Sequence, residues 1–409
     1  MKLFYFGSVC DNTVFNDTVL KSRVKPSSSA QSFEYALISG FSENKNVEVT
    51  VVSAESIATY PNGNRIFLKK RRDILTDNIT ANIIPTFNLP ILKQHFHAIG
   101  AVRQFKKWYK QNLCENKCVI MYGLYPTVAK KMLKVCKKNN CKIFNIVADI
   151  PETMFTYTKS KGIFKALLGG SYRKLAVSLQ NKFDGYIYLT DAMAEKVAPG
   201  KPYIVIEAIA DSNIFNDIGN IPKAYPPAIM YAGALYKKYG TDIIISAFER
   251  LKSNAELWLF GSGDYEEEII KKANKNSKIK FFGRVPREEI LIKEKEAMLL
   301  LNIRNSADNY TKYSFPSKMT EYMLSGTPLL TTKLSGIPDE YYNYVYSLDT
   351  REPNKIANCI DELLSNAAEL QKIGVEAKLF ISEEKNEKKQ ANRIIDFLSE
   401  NCIDESGIY

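Results

Sequence analysis

The sequence predicts an α/β fold with two doubly wound parallel sheets, each covered by helices on both faces. The length of 409 residues exceeds one ordinary domain and suits two. Short β-branched or aromatic runs alternate with longer helical patterns, which is typical of parallel sheets. This alternation occurs twice, before and after a stretch rich in Asn and Pro.

The candidate strands fall into two groups, and most of them end in Gly or another turn residue. In the first half they are KLFYFG from Lys2, VEVTVV from Val47, CVIMYG from Cys118, KIFNIV from Lys142, GYIYLT from Gly185 and YIVIEA from Tyr203. In the second half they are AIMYAG from Ala228, ELWLFG from Glu256, KIKFFG from Lys278, AMLLLNI from Ala297 and PLLTT from Pro328. Helical patterns occupy residues 92–113, 126–138, 242–251, 286–295 and 354–364, among others.

These groups predict a first domain at residues 1–210 and a second at residues 228–382. The clustered Asn and Pro of residues 211–227 predict a linker between them. The last segment, residues 383–409, has a polar helical pattern and a loose tail, and we expect it to pack back on the first domain.

Composition excludes several classes of protein. The 45% hydrophobic and 25% charged residues are those of a globular protein, not of a collagen-like, disordered or disulfide-scaffold chain. The seven cysteines form no even framework, which favours reduced thiols. No apolar run approaches the roughly 18 residues of a membrane span. We therefore expect a cytoplasmic protein that at most lies on a membrane.

The excess of positive over negative charge lies in the first half of the chain. Residues 1–200 hold 29 Lys and Arg against 14 Asp and Glu, whereas the remainder holds 27 against 31. The basic residues cluster beside large apolar ones at residues 67–72, 92–110 and 159–175, as in helices that lie on anionic membranes. A merely solvated basic face stays open, whereas no nucleic-acid-binding signature is present and no nucleic acid partner is expected. His95 and His97 lie in the second cluster and are expected at a surface or interface.

Ligands of doubly wound sheets bind beyond the carboxyl ends of the strands. In YAGALYKKYGTD, Gly233 allows a ligand to approach the backbone, and a lysine there suits a phosphate. The turn Gly261–Ser262–Gly263 precedes acidic residues, which favour a base or sugar over a phosphate. In FFGRVP, Arg284 either approaches the ligand or is only part of a turn.

Residues 299–330 are the most informative. A buried strand ends at Ile303, and SFPSKMTEYMLSG predicts a helix of about ten residues. Lys318 falls in the first turn, where a cation opposes the helix dipole unless an anion binds. Glu321 lies one turn later on the same face, within reach of ligand hydroxyls. A surface ion pair between Lys318 and Glu321 explains the spacing equally well.

Together these motifs resemble a known family. YAGALYKKYGTD, LWLFGSGDYEEEI, IKFFGRVP and YSFPSKMTEYMLSGTPLL are similar, in order and spacing, to the donor domain of family 4 of the retaining GT-B glycosyltransferases. The likeness is close to the FPSK-containing branch of bacterial polysaccharide biosynthesis, and extends more weakly to VSAES, ADIPE and DSNIF in the first half. It implies two Rossmann-like domains that face each other across a cleft.

The resemblance also implies roles for individual residues. Glu321 matches the glutamate that holds the nucleotide ribose, and Lys318 with Arg304 would neutralise the diphosphate as it departs. The other donor-binding residues implied are Gly233, Lys238, Gly261, Ser262, Gly263, Tyr313, Ser314, Phe315, Pro316 and Ser317. No metal or cofactor is expected.

Three positions depart from the family pattern. Tyr313 stands where the first glutamate of the EX7E motif is usual, Ala234 replaces an arginine, and Tyr239 replaces a lysine. In the first half, Asp149 ends a strand and is a candidate to orient or deprotonate an acceptor hydroxyl, although a loop-capping role is equally compatible.

The resulting expectation is a hexosyl- or N-acetylhexosaminyltransferase, peripheral on the inner face of the cytoplasmic membrane. Its donor would be a nucleotide sugar, UDP-linked, and its acceptor a lipid-linked saccharide in capsule, O-antigen or exopolysaccharide assembly, with retention of configuration. A nucleotide-sugar 2-epimerase and a non-catalytic sugar-nucleotide or nucleic-acid binding protein remain alternatives.

Overall fold

A computed structural model of the chain describes residues 1–113, 116–150 and 163–402, without the side chains of residues 163–168. Cys114, residues 151–152 of the ADIPE motif, residues 159–162 of the third basic cluster, the side chain of Lys165 and the tail at 403–409 lie outside the described residues. The chain forms two compact units. The first unit comprises Met1–Ile209 and Glu387–Tyr409, and the second comprises Ala210–Asn386.

Strands β1 to β10 belong to the first unit: β1 (Lys2–Gly7), β2 (Glu48–Ser53), β3 (Phe67–Leu68), β4 (Arg71–Ile74), β5 (Thr80–Ile83), β6 (Thr86–Phe87), β7 (Lys117–Tyr122), β8 (Lys142–Val147), β9 (Gly185–Tyr188) and β10 (Tyr203–Val205). The strands of the second unit are β11 (Ala228–Ala234), β12 (Glu256–Ser262), β13 (Ile279–Gly283), β14 (Leu299–Asn302), β15 (Leu329–Thr332) and β16 (Tyr346–Leu348).

The helices of the first unit are α1 (Asn12–Lys21), α2 (Ser28–Glu43), α3 (Leu92–Gln111), α4 (Pro126–Lys138), α5 (Ile163–Leu179), α6 (Ala192–Val197) and α13 (Glu387–Cys402). Those of the second unit are α7 (Thr241–Phe248), α8 (Glu266–Lys275), α9 (Arg287–Glu296), α10 (Lys318–Leu324), α11 (Pro353–Ser365) and α12 (Ala367–Glu384). None of the described helices is long and apolar enough to span a bilayer.

In the first unit eight of the described strands form a sheet of order β10-β9-β8-β7-β1-β2-β5-β4, and β3 and β6 form a separate antiparallel pair. All neighbours pair in parallel except β4, which pairs antiparallel with β5. Side chains on both faces of β1 are buried, since Leu3, Phe4, Tyr5 and Phe6 have no exposed area. Burial on both faces is the reason that the strand is a continuous apolar run.

The second sheet has the order β13-β12-β11-β14-β15-β16, and all of its described pairs are parallel. The chain builds outward from β11 to β13, then returns to the other side of β11 with β14. The direction of strand order therefore reverses between β11 and β14, as it does between β1 and β7 in the first sheet. The predicted fold class, an α/β protein with two Rossmann-like domains, is confirmed.

The stretch that we expected to be a linker, residues 211–227, packs as part of the second unit. The ammonium group of Lys223 donates to Lys295 O at 2.9 Å, Ala297 O at 2.7 Å and Thr327 Oγ1 at 2.7 Å. Burial lowers the pKa of Lys223 to about 8. These bonds attach the stretch to the end of α9 and to the turn after α10.

Helix α13 packs against α2 in the first unit. The helices approach so closely that a Cβ on Gly40 would lie 2.1 Å from Glu387 O. Ile394 and Leu398 of α13 are completely buried in the same core as β1 and β7. The six described cysteines, Cys10, Cys118, Cys136, Cys141, Cys359 and Cys402, are free thiols.

We expect Ile394→Ala to lower the free energy of unfolding of the first unit by about 2–5 kcal/mol, because it removes a buried side chain and leaves a cavity. Trp108 lies in the first unit and Trp258 in the second, so a Trp258→Phe background makes fluorescence report on the first unit alone. Urea unfolding measures the change. Asp396→Ala, on the exposed face of α13, is the control. An unshifted Trp108 transition in Ile394→Ala would contradict the assignment of α13 to this core.

Candidate functional site

The candidate site of the second unit lies at the carboxyl ends of β11 and β14, where the strand order reverses. Ligands of doubly wound sheets bind in the crevice that such a reversal leaves. Arg304 follows β14 by two residues, and its backbone is fixed to β15. Its N–H donates to Thr332 Oγ1 at 3.0 Å, and the Thr332 hydroxyl donates to Arg304 O at 2.8 Å.

The turn after β11 meets the loop after β14. Gly240 adopts the left-handed region, with φ of 83°, and a Cβ there would lie 1.6 Å from Ile303 O. Only glycine permits this approach. Lys238 Nζ and the Arg304 guanidinium carbon lie 4.8 Å and 5.1 Å from the centre of the same Tyr239 ring. Two cations that the sequence suggested separately are thus brought onto one aromatic side chain.

The third predicted cation, Lys318, belongs to the same electrostatic environment. Burial raises the pKa of Tyr231 to about 12, while the charges of Arg304 and Lys318 act in the opposite direction. The Tyr231 hydroxyl donates to Ala234 O at 3.1 Å, at the end of β11. Both charges therefore act on this buried hydroxyl, and Lys318 Nζ lies 5.9 Å from the ring centre of Tyr322, which bonds to Ala232 of the same strand.

Tyr322 attaches α10 to β11. Its hydroxyl accepts from Ala232 N at 2.7 Å and donates to Ala232 O at 3.1 Å. The helix has seven residues, fewer than the ten or so that we expected, and begins at Lys318 itself. This anchor places the first turn of α10 beside the carboxyl end of β11.

The turn before α10 is fixed by an aromatic contact and a hydrogen bond. The Phe315 ring is buried against Tyr341, at 5.1 Å between ring centres, and Ser314 Oγ donates to Tyr310 O at 3.1 Å. Pro316 is buried and Ser317 is exposed, while Tyr313 is half-buried at the end of a 3-10 turn, Asn309–Tyr313. The Phe315 side chain is thus part of the core, and only its backbone is available to a ligand.

Glu321 is the centre of an ionic cluster. It forms an ion pair with Lys318 through Oε1, and Arg287 Nη2 lies 3.0 Å from its Oε2. Burial raises the pKa of Glu321, but the charges of Lys318 and Arg287 outweigh this effect and lower the pKa to about 2. The Lys318–Glu321 contact expected from the spacing is present, and it has further members.

Sequence reasoning missed two members of this cluster, Arg287 and Glu294 on α9. Glu294 is completely buried, and its Oε1 lies 3.6 Å from Lys318 Nζ. The two residues are seven apart, which is two helical turns, and they therefore share a face of α9. This seven-residue spacing is the feature of the sequence from which the pair could have been identified.

The Gly261–Ser262–Gly263 turn follows β12 and lies against the turn after β11. A Cβ on Gly261, whose φ is 119°, would lie 1.8 Å from Gly233 O. Arg284 Nε donates to Ser262 Oγ at 2.5 Å, so that Arg284 fixes this turn rather than standing free. Phe260 and Phe282 stack beside it with ring centres 4.4 Å apart.

The first unit has its own polar group at the carboxyl ends of β1, β7 and β8. Asp149 follows β8, and partial desolvation raises its pKa. A second carboxyl group, Glu34 of α2, is completely buried and accepts from Ser8 Oγ at 2.5 Å and from the Tyr5 hydroxyl at 3.0 Å. Burial raises the pKa of Glu34 to about 7, against the effect of these bonds. Burial raises the pKa of Tyr122, and the charges of Glu34 and Asp149 raise it further.

The two histidines differ in their exposure to solvent. His95 is exposed, as expected, but the expectation of a surface position was wrong for His97, which is 3% exposed. Burial and the charge of Lys93 lower the pKa of His97 to about 3, so it is a neutral core residue. Among the described residues, no group of three or more His, Cys, Asp or Glu is placed to hold a metal ion.

Comparison with known proteins bears on this geometry. Residues 216–380 match the family described as "Glycosyl transferases group 1". The second unit has a glycosyltransferase sequence pattern. The matched range includes every second-unit residue of the candidate site described above. No curated protein sequence matches the chain.

Solved glycosyltransferase structures are similar over nearly the whole chain. HepE of Anabaena in complex with UDP has a TM-score of 0.61 at 15% identity, with 98% of this chain and 100% of that chain covered. Sucrose-phosphate synthase from Thermosynechococcus elongatus has a TM-score of 0.61 at 13% identity, with 98% and 99% covered. The trehalose-6-phosphate synthase OtsA has a TM-score of 0.65 at 12% identity, with 98% and 99% covered. The chain therefore has the GT-B fold.

We expect Tyr322→Phe to lower the free energy of unfolding of the second unit by about 1–3 kcal/mol, because it leaves the buried Ala232 N–H without its acceptor. Urea unfolding followed by Trp258 fluorescence, in a Trp108→Phe background, measures this. Tyr225→Phe is the control, since Tyr225 is 94% exposed in the same unit. Equal stability of the two variants would show that the Tyr322 hydroxyl does not anchor α10.

Proposed function

We propose that the protein is a retaining glycosyltransferase that moves a sugar from a UDP-linked donor to a lipid-linked saccharide. The observation that carries the proposal is the convergence of Lys238, Arg304 and Lys318 at the carboxyl ends of β11 and β14. Three cations at a strand-order reversal suit the diphosphate of a nucleotide sugar. The family match over residues 216–380 and the UDP-bound relative of the same fold support this assignment.

The chemistry follows from the charges. As the glycosidic bond to the diphosphate breaks, negative charge grows on the leaving phosphate, and fixed cations stabilise that charge more than they stabilise the bound donor. Arg304 and Lys318 are the cations assigned to this task, and Lys238 assists at the first turn. Cations that rest on an aromatic ring can exchange it for phosphate oxygens at modest cost, since a cation–π contact contributes about 0.5–2 kcal/mol.

The remaining donor contacts are assigned by position. Glu321 accepts a hydrogen bond from a ribose hydroxyl, the Gly261–Ser262–Gly263 turn forms the wall of the base pocket, and Gly233 belongs with Lys238 to the first donor-side turn. The turn from Tyr313 to Ser317 lies beside the donor sugar through Ser314, Phe315 and Pro316. Tyr313 places a neutral phenol where related enzymes carry a carboxylate, so a sugar contact there is a hydrogen bond rather than a charge.

The acceptor side belongs to the first unit. Asp149 orients the acceptor hydroxyl or takes its proton, and desolvation, which raises its pKa, makes it a stronger base than a solvated carboxylate. The product belongs to capsule, O-antigen or exopolysaccharide assembly. The transferred unit is a hexose or an N-acetylhexosamine.

An exposed stripe of α3 favours a membrane-bound acceptor. Its members are Leu92, Phe96, Ile99, Arg103, Lys106, Lys107 and Lys110, all exposed and all within one face of the helix. We call this the α3 stripe. It is apolar at its amino end and basic at its carboxyl end, a division that suits insertion of one end into an anionic bilayer while the other end contacts lipid phosphates.

Two further aromatic side chains extend the apolar end of the α3 stripe. Phe87 lies 5.6 Å from Phe96 and 5.2 Å from Phe67, measured between ring centres. Phe67 is 47% exposed and Phe87 is 41% exposed. Three adjoining aromatic rings in contact with solvent, beside a row of cations, are best explained by a peripheral position on the inner face of the cytoplasmic membrane.

We expect Arg304→Ala to weaken UDP binding about 10- to 100-fold, because a charge-assisted contact contributes about 1.5–3 kcal/mol. Isothermal titration calorimetry with UDP measures this, followed by turnover of a UDP-sugar panel with membrane extract as acceptor. Arg250→Ala is the matched control, because Arg250 is exposed just beyond the carboxyl end of α7. Unchanged UDP affinity and turnover in Arg304→Ala would defeat the donor assignment.

We expect Lys106→Gln/Lys107→Gln to weaken binding to anionic vesicles about 30-fold, since each basic residue near such a surface contributes about 1 kcal/mol. Cosedimentation with phosphatidylglycerol-containing vesicles measures this. Phe96→Ser should weaken binding to anionic and neutral vesicles alike, because it removes apolar contact. Lys182→Gln/Lys201→Gln, beside strands at the far end of the sheet from β2, should bind as the wild type does. Equal vesicle binding by all variants, or altered UDP affinity in the lysine pair of α3, would count against the α3 stripe.

A further inference from the structure

The buried carboxyl group of Glu294 has no role in the proposed function so far. Neither of its oxygens accepts a hydrogen bond from any donor among the described residues, and its side chain has no exposed area. An ionised carboxylate in that position would lack both water and a donor within hydrogen-bond distance, since the Lys318 ammonium group lies 3.6 Å from its Oε1. The free-energy cost of such an ion favours the protonated acid.

A protonated Glu294 has an acceptor at hand. Lys318 Nζ lies 3.6 Å from Glu294 Oε1 and forms an ion pair with Glu321 Oε1, so the two carboxyl groups meet at one ammonium group. Burial raises the pKa of Glu294 well above its ordinary value, and the charge of Glu321 raises it further, whereas Lys318 and Arg287 act in the opposite direction. Tyr322 is the other titratable side chain within electrostatic reach. One proton shared by the two carboxyl groups therefore resides on Glu294.

We propose that Glu294 is a positioning residue, a permanently neutral acid whose O–H donates to Glu321 and holds that carboxylate as an acceptor for the nucleotide ribose. This inference rests on the proposed function and deepens it. Carboxylate oxygens offer about four lone-pair sites. Lys318, Arg287 and Glu294 occupy three of them, and the remaining one is left to accept a ribose hydroxyl.

The neutral state also sets the charge of the site. Lys318 and Arg287 contribute two positive charges and Glu321 one negative charge, which leaves a net charge of about +1 when Glu294 is protonated. An ionised Glu294 would cancel this charge and oppose a diphosphate. Its own neutrality thus serves the same ligand as the cations around it.

The test compares two variants of similar length. Glu294→Gln keeps a neutral donor toward Glu321, whereas Glu294→Met keeps the volume and removes the donor. We expect UDP affinity, by calorimetry, to stay within about threefold of wild type in the Gln variant and to fall about tenfold in the Met variant. Glu289→Gln, an exposed glutamate of the same helix, is the control and should bind as the wild type does. Circular dichroism and thermal unfolding establish that each variant is folded.

Infrared difference spectroscopy gives a second readout that does not require binding. The wild type should show the carbonyl band of a buried protonated carboxyl group, sensitive to deuterium exchange, which Glu294→Gln lacks and which Glu34→Gln, a change at a second completely buried carboxyl group, retains. Absence of this band in the wild type, or equally weak UDP binding by folded Gln and Met variants, would overturn the proposal. Wild-type affinity in the Met variant would overturn it as well. If the wild type binds no nucleoside diphosphate, the proposed function fails, and the infrared band alone decides whether the carboxyl pair exists.

Discussion

The parallel pairing of β11 with β14 is the constraint on which the site of the second unit depends. These strands are neighbours in the sheet although β12 and β13 come between them in the chain. Their carboxyl ends therefore open side by side, and the turn after one touches the loop after the other at Gly240 and Ile303. Because main-chain contacts set this geometry, Lys238 and Arg304 reach the same Tyr239 ring without any direct bond between them. The order of the strands in the sheet thus brings Lys238 and Arg304 together.

Burial divides the charged groups of this unit into two kinds. Arg304 and Lys238 are half-buried and rest on an aromatic face, from which they can turn to a ligand. Glu294 and Glu321 are held inside, where each ionisation state depends on its neighbours. Lys318 belongs to both kinds, since it is part of the buried cluster yet about one third exposed. It is thus the residue that links the buried carboxyl pair to the exposed side of the site.

Much of this fold could be predicted because its signals are local. The apolar runs that become β1, β7, β11 and β14 are buried on both faces. A continuous apolar run can be recognised as a strand without knowing which strands pair with it. The spacing of Lys318 and Glu321 is local too. Arg287 and Glu294 were missed because REEILIKEKE has the composition of a solvated helix, and only the position of α9 against β11, with Lys318 of α10 close by, makes one of its glutamates internal. His97 was misplaced although its spacing to Ala101 and Phe105 repeats by four, on the buried side of α3. Similarly, Asn and Pro near Lys223 signal the absence of regular structure, not the absence of packing.

The return of the chain to the first unit through α13 has a consequence for biosynthesis. The ribosome completes residues 210–386 before it makes the helix that closes the core of β1 and β7. The first unit therefore cannot complete its core until α13 is made, and the positions that Ile394 and Leu398 fill stay exposed until then. The second unit already has its whole sequence at that stage. Vectorial synthesis thus favours folding of the second unit first, and emergence of α13 from the exit tunnel becomes the step that completes the core of the first.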